Sequence, residues 1–96
     1  MIKEIHLLIE GRVQHVGFRR FVLRSAERLD LCGWVRNTQD GSVEVYASGD
    51  QVNVVEFIGC CQKGPLFSNV FDMQFLTVKE QDKLLCDSQS FKVLYD

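Results

Sequence analysis

The chain has 96 residues, of which 46% are hydrophobic and 25% charged, a balance typical of one compact globular domain rather than a disordered segment. No apolar run approaches the roughly 20 residues that span a bilayer, and the N-terminus lacks the basic-then-apolar order of a signal peptide. The formal net charge is −2, but all six arginines fall between positions 12 and 36, so the anion-attracting surface should be local. We therefore predict one domain over residues 1–96, a cytoplasmic location, no membrane partner, and a small anionic ligand rather than nucleic acid.

The first half of the chain predicts a strand, a loop, a helix and a hairpin. Residues 3–10 form a short apolar run that stops at Gly11, as in a central strand. From Phe18 to Leu29 the apolar residues recur at helical spacing, so a helix follows the loop. Residues 31–37 and 42–47 have strand patterns, and Asp40-Gly41 between them is a strong hairpin signal.

The second half predicts a helix and two more strands. Gly49-Asp50 can cap a helix that ends at residues 63–65 and whose apolar positions are Val54, Val55, Ile58 and Cys61. Residues 69–78 and 91–95 have strand patterns. The order β-α-β-β-α-β, with a further short C-terminal strand, predicts a ferredoxin-like α+β sandwich, an antiparallel sheet with two helices on one face.

The loop between the first strand and the first helix is the candidate site. A glycine-bounded turn into a helix is a recurrent way to hold phosphate, because the first helical N–H groups lack partners and the helix dipole favours an anion. Arg19 stands at the helix start, where its planar fork can donate two bonds to phosphate oxygens. We expect Arg20, Arg24 and Arg28, at four-residue spacing, to form a solvated helix face. From spacing alone, a structural turn with a surface arginine explains the loop equally well.

Two sequence blocks resolve that ambiguity. Residues 11–19, GRVQHVGFR, resemble the acylphosphatase signature G-x-V-Q-G-V-x-F-R. Residues 33–37, GWVRN, and 40–45, DGSVEV, resemble the same family's G-W-V-x-N and D-G-x-V-E-V block at the expected separation. The resemblance covers essentially the whole chain.

The resemblance implies a hydrolase that needs neither metal nor cofactor and converts small acyl phosphates into carboxylate and phosphate. Arg19 would bind the phosphate, which inorganic phosphate or sulfate could replace as ligand, and Asn37 would hold the attacking water. The surrounding backbone N–H groups would be those of Gln14, His15, Val16, Gly17, Phe18 and Arg19. Without the resemblance, Asn37 is more simply a strand-end residue that caps the turn.

Other phosphate-handling sites do not fit the residue pattern. No cysteine is followed six positions later by arginine, and no Gly-Lys-Ser or Gly-Lys-Thr occurs. His6 and His15 are the only histidines and have no metal-spaced acids beside them, so we predict no metal site and a structural role for His6.

His15 is the one clear departure from the family signature, because it stands where the family usually has glycine. We expect an ordinary φ with the ring in solvent and little effect on activity. The alternatives are impaired turnover, which would leave a non-catalytic phosphate-binding module, or a protonated His15 that strengthens phosphate binding below about pH 6.5.

The four cysteines are Cys32, Cys60, Cys61 and Cys86. They form no C-x-x-C pair, so we expect free thiols, with Cys32 as a small core residue and Cys86 in a polar stretch open to oxidation. We predict a monomer, with thiol-linked oligomers through Cys86 or the Cys60-Cys61 pair as the alternative.

Overall fold

The computed structural model describes residues 1–81 and 90–95. In chain order the elements are β1 (Ile2–Arg12), α1 (Phe18–Arg28), β2 (Cys32–Asn37), β3 (Val43–Asp50), α2 (Gln51–Lys63), β4 (Asn69–Gln81) and β5 (Phe91–Leu94). This order confirms the predicted ferredoxin-like sandwich with an additional C-terminal strand.

The strands form one five-stranded sheet in the order β4-β1-β3-β2-β5. The predicted antiparallel pairing holds between β4, β1, β3 and β2. However, β5 runs parallel to β2, with Gly33 opposite Phe91, so the complete sheet is mixed. The direction of a short edge strand depends on where it docks, which its own apolar pattern does not encode.

The core lies between the sheet and the two helices, which pack on the same face. On β1 the alternate residues Ile5, Leu7 and Ile9 are fully buried, as period-two alternation requires. The helices contribute Phe18, Val22 and Ala26 from α1 and Val54, Phe57 and Cys61 from α2. No helix among the described residues is both long and apolar enough to cross a membrane.

The core-facing stripe of α2 differs from the predicted one. Val54 and Cys61 are buried as predicted, but Val55 is 54% exposed and Phe57 replaces it in the core. Positions 54, 57, 58 and 61 follow the i, i+3, i+4, i+7 rule, whereas Val55 is turned away from that stripe. The periodicity therefore placed Val55 in the core stripe wrongly, because this β-branched residue is apolar but lies outside the buried face.

The cysteines require a second correction. Cys32 is fully buried, as predicted for a core residue, but it is disulfide-bonded rather than a free thiol. Its strand meets the C-terminal part of the chain, since the Gly33 N–H donates to the Ser90 carbonyl at 3.0 Å, a proximity that cysteine spacing does not reveal. Cys60 and Cys61 are free thiols, and the prediction for Cys86 falls outside the described residues.

Candidate active site

The loop between β1 and α1 is shaped by backbone conformations that few residues adopt. Gly17 has φ +77° and no heavy atom within 4 Å of a built Cβ, so glycine is needed there for its conformation rather than for space. Gly11 also has positive φ, +137°, and in addition a Cβ there would clash with the Asn69 carbonyl oxygen of β4. Gly11 therefore needs glycine both for conformation and for close strand approach, whereas Gly17 needs it for conformation alone.

The N-terminus of α1 is left without an internal partner. Gly17 occupies the N-cap position, no described side chain caps the helix, and the first turn contains no acidic residue. The first regular helical bond runs from the Phe21 N–H to the Gly17 carbonyl at 3.0 Å. The preceding N–H groups can therefore donate to an anion placed at the helix end.

Arg19 extends from this first turn and is held by the C-terminal strand. Its guanidinium lies 4.6 Å from the centroid of the Tyr95 ring, and its Nη1 donates to the Leu94 carbonyl at 3.4 Å. An arginine that stacks on an aromatic face keeps most of its N–H groups free to donate elsewhere. These contacts thus orient Arg19 without an ion pair to any acidic residue that the structure describes.

Asn37 ends β2, and the turn after it is tied to the loop through Gln14. The Gln14 side-chain amide donates to the carbonyls of both Thr38 and Ser42 at 2.8 Å. The turn is further braced by Asp40, which accepts from the Thr38 hydroxyl; this bond holds the pKa of the Asp40 carboxyl below its usual value. The loop and the end of β2 are therefore linked by direct hydrogen bonds.

These elements enclose a cavity of about 210 Å³. Its lining residues are Val13, His15, Gly17, Phe18, Arg19, Arg20, Asn37 and Tyr95. The volume is below the roughly 300–1,000 Å³ of sites for drug-sized ligands. Two arginines and no carboxylate line it within the described chain, so the cavity suits a small anion.

Comparison with known proteins gives a consistent picture. A family model described as Acylphosphatase matches residues 5–93. The chain belongs to the acylphosphatase family. It is 38% identical over 94 residues to the acylphosphatase of Geobacillus thermodenitrificans, covering 98% of this chain and 96% of that one. It is 40% identical over 92 residues to that of Bacillus licheniformis, covering 96% and 98%.

The structural comparison agrees with the sequence comparison. The crystal structure of the acylphosphatase from Bacillus subtilis superposes with a TM-score of 0.83 at 36% identity, covering 99% of this chain and all of that one. This chain is therefore an acylphosphatase, an enzyme of acyl phosphate hydrolysis.

The predicted site residues of this acylphosphatase are distributed unevenly around the cavity. Arg19 and Asn37 line it together with His15, Gly17 and Phe18 of the loop. Gln14 and Val16 belong to the same loop but are not among the lining residues, since Gln14 bonds to the β2–β3 turn and Val16 packs against the core. The backbone N–H groups of all six loop residues, 14–19, stay predicted phosphate donors.

His15 departs from the predicted conformation. Its φ is +63°, in the left-handed region, so the expectation of an ordinary φ is wrong, although the side chain is exposed as predicted. The loop path requires positive φ at both His15 and Gly17, and only one of the two positions carries the residue suited to it. Histidine at position 15 therefore stores conformational strain beside the cavity.

Two further arginines lie near the site. Arg20 is exposed, as predicted for a solvated helix face, and it also lines the cavity. Arg36, next to Asn37, points away from the site and pairs with Glu44 at 2.6 Å. Glu44 also accepts from His6 at 2.6 Å, so the structural role predicted for His6 is supported by a definite partner.

Tyr95 is the site residue that the sequence did not reveal. Its contact partner Arg19 lies at the other end of the chain, and a single tyrosine near a terminus carries no motif of its own. Only the parallel docking of β5 beside β2 brings it to the cavity.

Proposed function

We propose that the cavity catalyses direct attack of water on the phosphorus of an acyl phosphate, with Arg19 binding the phosphate and Asn37 orienting the water. The observation that carries this proposal is that these two residues, from different elements, line one cationic cavity at an uncapped helix start. The substrates are small acyl phosphates, and inorganic phosphate or sulfate is the simplest competing ligand.

Phosphate binding rests on the loop backbone and on Arg19. The N–H groups of residues 14–19 surround the phosphate oxygens, and the guanidinium fork donates two bonds to them. Phosphoryl transfer spreads negative charge over the equatorial oxygens, so donors already held in place stabilise the transition state with little reorganisation.

Asn37 acts by geometry, since an amide is not a base. Its carbonyl oxygen accepts from the attacking water and its NH₂ donates to a phosphate oxygen, which aligns the water with the scissile bond. The water oxygen bonds to phosphorus, the bond from phosphorus to the carboxyl oxygen breaks with its electron pair, and both water protons end on the phosphate. The products are a carboxylate and dihydrogen phosphate.

The leaving group explains why the site needs no acidic residue. A carboxylate whose acid has a pKa of roughly 4 to 5 leaves without protonation, so no general acid is required. This requirement fits a described cavity lining that contains arginine, histidine, asparagine and tyrosine but no carboxylate.

Tyr95 and Leu94 serve as positioning residues for Arg19. The ring contact and the bond to the Leu94 carbonyl limit the rotamers of a side chain that is otherwise half-buried and flexible. We expect Tyr95→Ala to lower kcat/KM by roughly tenfold, mainly through KM, and Tyr95→Phe to retain activity because it keeps the aromatic face. Equal losses in both variants would contradict this role.

The principal test is hydrolysis of benzoyl phosphate by three variants. Arg19→Ala should lower kcat/KM by roughly 1,000-fold and weaken inhibition by inorganic phosphate, because it removes ground-state and transition-state contacts together. Asn37→Ala should lower kcat by about 100-fold while phosphate inhibition stays nearly unchanged. The matched control is Arg24→Ala on the same helix, outside the cavity lining, which should leave both quantities intact.

The competing function is an anion-binding module with impaired turnover, which the left-handed His15 beside the cavity favours. Phosphate binding without hydrolysis above background in the natural chain would establish the module and overturn the enzymatic proposal. If His15→Gly then restored hydrolysis, the impairment would be located at this residue.

A further inference from the structure

Strand β4 is a long edge strand with an unusually apolar outer side. It spans thirteen residues and, within the part of the chain that the structure describes, pairs only with β1, whereas β5 at the opposite edge has four. Phe71 is 73% exposed, Phe75 46%, and Leu76 and Val78 50% each. A long apolar edge is a template for another strand, and bulges or charges along it restrict which strand can pair.

Two charged residues of β4, Asp72 and Lys79, form no ion pair within residues 1–81 and 90–95. Asp72 lies opposite Glu10 of β1, and two acids facing each other across strands destabilise the pair. Lys79 lies opposite Glu4, a favourable neighbour that it does not contact as an ion pair. Each is therefore available to a partner of opposite charge.

β4 has two register shifts against β1, and the one within residues 72–79 determines how the strand can meet a partner. Between His6 and Leu7 the partner residue on β4 jumps from Thr77 to Phe75, which leaves Leu76 as an extra residue. Asp72 and Gln74, before the shift, oppose Glu10 and Leu8. Thr77 and Lys79, after it, oppose His6 and Glu4. All four β1 partners alternate with the buried Ile5, Leu7 and Ile9, so the four β4 residues share the face away from the helices.

We propose that β4 pairs antiparallel with β4 of a second copy of the chain, about a two-fold axis between Phe75 and Leu76. In this register Asp72 of each copy lies opposite Lys79 of the other, and Gln74 lies opposite Thr77. The apolar residues also match, because Met73 meets Val78 and Phe75 meets Leu76.

The register shift is what makes this pairing consistent. Residues opposite each other across antiparallel strands must lie on the same face. In a regular strand Asp72 and Lys79, seven positions apart, would lie on opposite faces, and the extra residue at Leu76 brings them to one face. The pairing forms two opposite-charge pairs, in which Lys79 of each copy offsets the repulsion between Asp72 and Glu10 of the other. These pairs favour a second copy over an unrelated strand.

The interface is small, so the association is weak. Edge-to-edge pairing buries much less than a standard interface, and we expect sedimentation to become concentration-dependent between roughly 0.01 and 1 mM. The sequence predicts a monomer, and the proposed pairing departs from that prediction at high concentration.

The test uses charge exchange followed by analytical ultracentrifugation. Lys79→Asp and Asp72→Lys each place like charges opposite one another and should abolish association. The double variant Asp72→Lys/Lys79→Asp restores both opposite-charge pairs at the natural net charge and should recover it. Lys92→Asp on β5 changes net charge as Lys79→Asp does and should associate like the natural chain.

Two measurements keep the result interpretable. Thermal melts of each variant show that the fold is intact, and non-reducing gels separate covalent species linked through the free Cys60. Hydrogen exchange should show protection of β4 peptides that rises with concentration. A natural chain that stays monomeric throughout, or single variants that associate as it does, would overturn the proposal.

Discussion

The two helices begin in opposite ways. At the start of α2, the Asp50 carboxylate accepts from the Val52 N–H at 3.0 Å, so the helix end is satisfied by its own chain. At the start of α1, Gly17 is left-handed and offers no side chain, His15 before it is also left-handed, and an arginine follows. Both helices pack on the same sheet and contribute to the same core.

The start of α2 serves the stability of the fold, whereas the start of α1 serves ligand binding, and single residues account for the difference. Asp50 stabilises a helix that has no ligand to bind, and this is the usual solution for orphan N–H groups. The α1 start leaves the same groups open and adds backbone strain at His15, an arrangement that becomes favourable when an anion occupies it. Substitutions at the start of α2 should therefore change mainly stability, and substitutions at the start of α1 should also change ligand binding or activity.

The largest effect on stability is expected at Gly17. Alanine there must adopt φ near +77°, which costs roughly 1–2 kcal/mol even though space is available. Urea unfolding should show this loss, and phosphate inhibition should weaken because the loop shifts. The control is Gly59→Ala in the interior of α2, where a Cβ also meets nothing and should stabilise by about 0.5–1 kcal/mol. If both variants changed the free energy of unfolding in the same direction, the conformational explanation would be wrong.

The α2 cap should affect stability alone. Asp50→Ala removes the acceptor for the Val52 N–H and should lower the free energy of unfolding by about 1 kcal/mol. Hydrolysis of benzoyl phosphate should be unchanged under native conditions, and Asp50→Asn should keep most of the stability because it retains a capping oxygen. A drop in kcat/KM for Asp50→Ala would break the separation between the two helix ends.

A smaller effect of opposite sign is expected at His15. Glycine relieves the left-handed strain but adds unfolded-state entropy, so His15→Gly should stabilise by at most about 1 kcal/mol. His15→Ala removes the imidazole without relieving the strain and should not stabilise. Comparing kcat/KM against pH for both variants isolates the ring, and profiles identical to that of the natural chain would remove any titrating role for it.

The smallest effect concerns the turn beside Asn37. Because the hydrogen bond from Thr38 lowers the Asp40 pKa, this carboxylate stabilises the fold above the ordinary value of 3.8 and loses that contribution as pH falls below it. The urea midpoint of Asp40→Asn should therefore lie slightly below that of the natural chain at pH 7 and converge with it as pH falls below 3.8. Parallel curves with no convergence would show that ionisation of Asp40 does not matter.

The predictable parts of the fold and site were local. Periodicity identifies the helices and strands of the described residues, Asp40-Gly41 identifies the hairpin, and the sequence also identifies the cap at Asp50, which accepts from Val52. Motif spacing selected Arg19 and Asn37, which the folded chain brings to one cavity. Such features depend on residues close in the sequence, where backbone geometry leaves few choices.

What the sequence by itself determined is therefore the order of the elements, the family and the residues nominated for chemistry. The tertiary structure alone decided the parallel docking of β5, the contact of Tyr95 with Arg19, the disulfide of Cys32 and the positive φ of His15. The first two join positions far apart along the chain, the third is not revealed by cysteine spacing, and the fourth follows from a loop path whose ends are held by neighbouring strands. Local preference cannot encode such features, because their free energy comes from groups that meet only after the chain has folded.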